Sequence, residues 1–198
     1  MRGGSLTQAL WQRHVNAVNA PLSVRGWLTG TGSLTAKLQG QSGNFRVRRL
    51  HQGSAICLFD EAALIGLRRP GRVWEREVVL TCDEQAVVFA HTVVPMAATA
   101  ADWPQFGVLG ERSLGSTLFG DRQVRRGELQ YARLRCGHPL NLRALAALHS
   151  EEDQMLYARR CLYRRRQGLL LVTEVFLPAV AALSSHGQTD TLTNRTSK

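Results

Sequence analysis

Two ionisable side chains of opposite charge sit where the surrounding pattern is apolar. In Val73–Cys82, VWEREVVLTC, strand alternation puts Trp74, Arg76, Val78, Leu80 and Cys82 on one face and Val73, Glu75, Glu77, Val79 and Thr81 on the other. Arg76 points with the apolar set, and an arginine so placed calls for a buried anion. Leu169–Pro178, LLLVTEVFLP, is the most apolar run of the chain, and Glu174 is its only ionisable residue. A buried carboxylate is costly unless something pairs with it or uses it. Glu174 is therefore the first candidate functional residue and Arg76 the second. From pattern alone the simplest reading is that the two form a structural ion pair with each other.

Ser33-Leu34 and Ser113-Leu114 are predicted helix starts. Unpaired N–H groups and the helix dipole favour an anion at such places. Thr173 reads as a β-branched strand filler; Arg159 and Arg160 read first as a solvated basic face, with attraction of an anionic substrate group as the alternative.

The elements that must position these residues follow from periodicity. Residues 5–18 predict an opening helix ended by Pro21, and Ser33 caps a short helix that stops near Gly40. Asn44–His51 is a strand, Asp60 caps a short helix (EAALIGL), and Pro70-Gly71 is a turn. The Val73–Cys82 strand returns through DEQA into Val87–Pro95 as a hairpin. Asp102 and Ser113 are expected to cap brief helices, Val124–Arg135 is strand-like, and Asn141–His149 is helical. Tyr157–Arg165 pairs with the Glu174 strand, which is apolar on both faces and so should be central and covered. About six strands joined mostly by hairpins and short helical excursions predict an α+β domain, an antiparallel sheet with helices packed on it. A single domain over residues 1–183 is expected, followed by a polar, disordered tail at 184–198.

The 198 residues suffice for one real core, and the formal net charge of +10 favours anionic partners without choosing among them. Cys57, Cys82, Cys136 and Cys161 are widely spaced and read as reduced thiols of a cytoplasmic protein. No closely spaced His or Cys pairs predict a metal site. Neither a secretory leader nor a membrane span is expected. The basic residues are scattered, and without a recognised motif they do not predict a nucleic-acid partner.

Four stretches, in this order, closely resemble chorismate pyruvate-lyase: SLTAKL after an upstream Trp-Leu, WEREVVLTCDEQAVVFAHTVVP, LGERSLGSTLF, and YARRCLYRRRQGLLLVTEVFLPA. The resemblance runs from about Trp27 to Ala179. It implies a chorismate lyase-like fold and a cofactor-independent lyase. Chorismate would be the substrate, pyruvate and 4-hydroxybenzoate the products, in ubiquinone biosynthesis by a cytoplasmic monomer. By position, Arg76 corresponds to the arginine that grips the ring carboxylate and Glu174 to the acid at the ring hydroxyl. Leu34 and Leu114 correspond to ligand-contacting positions that act through backbone groups. The family commonly has arginine before Thr-Val-Val-Pro, where this chain has His91, and Ala158 stands for a familiar glycine. Cys136–Glu152 is longer than usual and the tail beyond Ala182 is extra. The alternative is a non-catalytic sensor of the same fold that binds an aromatic acid.

Overall fold

The computed structural model describes residues 8–150 and 153–186. Six antiparallel strands, β1 (Phe45–Ile56), β2 (Arg72–Cys82), β3 (Gln85–Pro95), β4 (Val124–Leu134), β5 (Leu156–Arg165) and β6 (Gly168–Phe176), form one sheet. Their order is β1-β2-β3-β6-β5-β4. β6 thus joins two three-stranded halves, pairing Ala90 with Glu174 on one side and Glu174 with Arg159 on the other. The expected central strand is central.

Both faces of the sheet are covered. Helices α1 (Leu22–Thr29) and α2 (Leu34–Gln39) bury Trp27, Leu28, Leu34 and Leu38 against Val78, Leu80, Val88 and Phe176. Beside them α5 (Leu114–Gly120) and the 3-10 turn Phe106–Val108 pack on Leu170 and Val172, near the short α4 (Met96–Thr99). On the opposite face α3 (Phe59–Ala62) covers Val73, Val93 and Leu171, while α6 (Pro139–Ala147) covers Val79, Phe89 and Val175. The last helix, α7 (Val180–His186), lies against α1.

Local chemistry explains most boundaries. The Ser33 hydroxyl accepts the N–H of Ala36, and that of Ser113 accepts the N–H of Gly115, so both predicted caps are present. The β2–β3 turn holds Asp83 and Glu84 at φ 48° and 66°, the left-handed conformation a tight hairpin turn requires. A β4 irregularity falls at Gly127, where a Cβ would stand 2.9 Å from the Leu162 carbonyl.

Several expectations are corrected. Residues 8–14 do not form an opening helix: Gln12 exchanges backbone hydrogen bonds with Tyr131, and only Val15–Val18 turns, as a 3-10 segment. Helix α1, begun after Pro21, takes that place. Asp60 lies inside α3 rather than capping it, and the Glu61 carboxylate accepts the Leu58 N–H instead. Asp102 caps no helix. β1 continues to Ile56, and α7 runs through residues 184–186, the first positions of the expected tail. The rest of that tail lies outside the described residues.

Candidate active site

Alternation on β2 and β6 delivers Arg76 and Glu174 to the same face of the sheet, beneath α2 and α5. There they line one narrow cavity with Leu34 and Leu114. Val47, Val78, Leu80, Ala90, Leu118 and Val172 form its apolar wall; Thr35, Thr92, Ser113 and Tyr163 add polar atoms. All four sequence-predicted site residues are therefore brought together.

Arg76 and Glu174 do not pair with each other. Arg76 is 2% exposed and donates through Nη2 to the carbonyls of Gly110 and Arg112, at 2.9 and 2.8 Å. Its Nε has no hydrogen-bond partner, and no described carboxylate lies within ion-pair distance. Burial, with the Arg49 charge adding to it, lowers its pKa to about 10, still far above neutrality. A buried guanidinium with no counter-ion among the described residues thus faces the cavity. That disposes of the structural ion-pair reading.

Glu174 has a different partner. The Arg159 Nε donates to the Glu174 carboxylate. Through Nη1, Arg159 also donates to the carbonyls of Trp27 (2.9 Å), Leu28 (3.2 Å) and Gly30 (2.8 Å), the otherwise unsatisfied end of α1. Arg159 and Arg160 are 2% and 7% exposed, so neither lies on a solvated face. Arg160 points the other way, to Gln130, the Asp60 carbonyl and the Trp11 ring. Arg159→Gln should destabilise the fold by about 3–5 kcal/mol, since it strands Glu174 and uncaps α1; a urea titration showing under about 1 kcal/mol would contradict this arrangement.

The two covering helices meet at their starts. The Thr35 and Ser113 hydroxyls are 2.6 Å apart, and a Cβ on Gly115 would stand 3.0 Å from Ser33 Oγ and 3.1 Å from Thr35 Oγ1. The cavity roof is thus a joint between α2 and α5 that only glycine permits this closely. Sequence reasoning missed Tyr163 and Thr92, and it preferred a solvated face for Arg159. Tyr163 shares a β5 face with Arg159, and burial pushes its phenol up, so it stays a neutral donor. Period-two alternation through YARRCLYRR could have shown that Arg159 and Tyr163 face one way and Arg160 the other.

His91 lies on the opposite face and lines no part of this cavity. It is fully buried, its Nε2 3.0 Å from Glu61 and its Nδ1 3.0 Å from Glu77. Thr173, opposite it on β6, is buried on that same face. Arg143 Nη1 bonds Glu75 and Glu77 at 3.2 and 2.7 Å. Glu75, Glu77 and His91 are the one cluster with metal-type ligands among the described residues. The Arg143 cation already serves their carboxylates.

This architecture, an antiparallel six-stranded sheet roofed by helices over a small polar-ended cavity, recurs in solved structures of low sequence identity. The effector domain of PhnF from Mycobacterium smegmatis has the same fold at TM-score 0.50, with 15% identity over 75% of this chain and 90% of its own. Sequence narrows the class further. The chain belongs to the chorismate lyase family, whose model matches residues 5–184. It is 49% identical to a probable chorismate pyruvate-lyase of Cupriavidus metallidurans, over 86% of this chain and 81% of the relative. A second, from Cupriavidus pinatubonensis, is 48% identical over 84% and 87%.

Proposed function

We propose that this enzyme converts chorismate to 4-hydroxybenzoate and pyruvate, supplying the aromatic ring for ubiquinone biosynthesis in the cytoplasm. The observation that carries this reading is Arg76, a buried cation with no carboxylate partner among the described residues, lining a cavity that Glu174 also lines. A flat ring bearing a carboxylate and a para hydroxyl has the polarity of that cavity. Arg76 binds the ring carboxylate, with the backbone N–H groups of Leu34 and Leu114 contributing dipoles at the cover-helix starts. Glu174, held by Arg159, orients the hydroxyl.

In the reaction, the ring carbon bearing the hydroxyl loses its hydrogen and the neighbouring carbon loses the enolpyruvyl oxygen. The ring becomes aromatic, and the leaving enolpyruvate takes a proton at its methylene carbon to give pyruvate. Aromatisation supplies the driving force, so the elimination calls for neither a redox cofactor nor a nucleotide. The protein's part is to hold a reactive conformer and stabilise charge moving toward the leaving group. If Glu174 only orients, Glu174→Gln should retain turnover within about tenfold, as expected for a neutral hydrogen bond replacing a charged one. A loss beyond about 10³ would instead assign Glu174 an obligatory proton transfer.

The direct test incubates purified protein with chorismate and a chelator and follows both products. Equimolar 4-hydroxybenzoate and pyruvate are expected. Tight binding of 4-hydroxybenzoate without turnover would make the chain a sensor of the same fold, and neither binding nor turnover would overturn the assignment of the ligand.

A further inference from the structure

The sheet has a basic end remote from the Asp83-Glu84 turn. Across β4–β5, Arg125 stands directly opposite Arg164. Cross-strand neighbours of like charge repel, and nothing in the ladder requires both to be arginine. With Arg122, Arg166 and Gln123 they wall a concavity of about 430 Å³. No acidic residue lines it. Asp121, which also feels the Arg166 charge, is bonded to Arg165 at 2.6 Å, and Arg165 points to the other face. None of these four arginines makes an ion pair with a described carboxylate. Arg68, Arg69 and Arg72 are exposed at the same end, since Arg72 pairs with the last residue of β1.

At the same end, on the β1–β3 side, apolar side chains stand beside Arg72. Ile56, opposite Arg72, is 57% exposed, Phe59 64% and Met96, just after β3, 41%. Arginines mixed with exposed Ile, Phe and Met fit a charged interface with a hydrocarbon layer beneath it. Nucleic acid would satisfy the charge, and Phe59 offers one ring on which a base could stack, but exposed Ile56 and Met96 fit a hydrocarbon layer better than a row of stacked bases. We propose that this end of the sheet docks on anionic phospholipid, with the Arg122–Arg125–Arg164–Arg166 concavity seating phosphate headgroups. α5 runs from the cavity roof at Leu114 to Gly120, two residues before Arg122, so the docked surface adjoins the site's cover.

The test is cosedimentation of the full chain with phosphatidylcholine vesicles, with and without phosphatidylglycerol. Binding is expected only with phosphatidylglycerol, weakening as salt rises. Arg125, Arg164 and Arg166 changed together to Gln should reduce it at least about tenfold. Arg46, Arg133 and Arg135 at the opposite end, changed to Gln, remove the same charge and should reduce it less than about threefold. Retained lyase activity verifies that both variants fold. Equal losses in the two variants, no vesicle binding, or release of the protein by millimolar inorganic phosphate at constant ionic strength would overturn the proposal. So would a preference for polyuridylate over vesicles.

Discussion

Arg76→Met will lower kcat/KM for chorismate at least about 10²-fold while leaving unfolding free energy within about 1 kcal/mol of the parent, or raising it. The two halves of this result come from one fact. A buried ion-paired arginine stabilises its protein, so truncating it costs several kcal/mol because the partner carboxylate is stranded. Arg76 has no such partner among the described residues: its bonds go to two loop carbonyls, Gly110 and Arg112. Its burial is a standing desolvation cost that a bound carboxylate offsets, so an apolar isostere relieves the empty protein and disables the loaded one. Steady-state assays beside urea titrations measure both. Parallel loss of activity and stability would return Arg76 to a structural role.

The opposite outcome is expected at His91. His91→Leu should destabilise the fold by about 3–5 kcal/mol, because buried Glu61 would lose its ion-pair partner while Glu75 and Glu77 would keep Arg143. The effect on chorismate turnover of the folded fraction should be small, since His91 is on the face away from the cavity. Burial alone would drive the imidazole toward neutrality. The Glu61 charge and the bonds to Glu61 and Glu77, with Glu75 adding its field, outweigh it and raise the pKa to about 10. The unfolded imidazole titrates near 6.5, so the folded state binds the extra proton between those values. His91 therefore contributes fully below about pH 6.5 and progressively less as pH rises through about 10. Glu77 carries the reverse sign: burial opposes its ionisation, but His91 and Arg143 hold its pKa below the ordinary value. Its contribution is present above the usual carboxylate range and is lost as pH falls through its lowered pKa. Urea unfolding across alkaline pH should show a falling stability in the parent and a flatter profile in His91→Leu.

Much of this was legible in the chain, for identifiable reasons. Strands β2, β3, β5 and β6 follow from alternation and turn chemistry, because each side chain in them faces either the cavity or the opposite core. Ser33 and Ser113 declared their helices through short-range capping, which needs no tertiary context. The placement of Arg76 and Glu174 on the cavity face was likewise a matter of period two. What was hidden depended on distant partners. Helix α1 carries little periodic signal of its own; Arg159, met more than a hundred residues later, satisfies its C-terminal carbonyls. The N-terminal segment looked helical because its apolar residues recur at helical spacing, yet Trp11 is claimed by Asp60 and Arg160. A family habit of arginine before Thr-Val-Val-Pro likewise could not show that His91 meets three glutamates behind the sheet.

The Thr35–Ser113 contact has a kinetic meaning. Because one hydroxyl pair binds both roof helices, neither can swing outward without surrendering the same bond, and Gly115 leaves no slack to absorb a partial movement. If a bound aromatic acid leaves through this roof, its escape is expected to be a single concerted event in which both helices move together. Removing the clasp with Thr35→Val and Ser113→Ala should shorten the residence time of 4-hydroxybenzoate several-fold in stopped-flow release, with amide exchange quickening in α2 and α5 together.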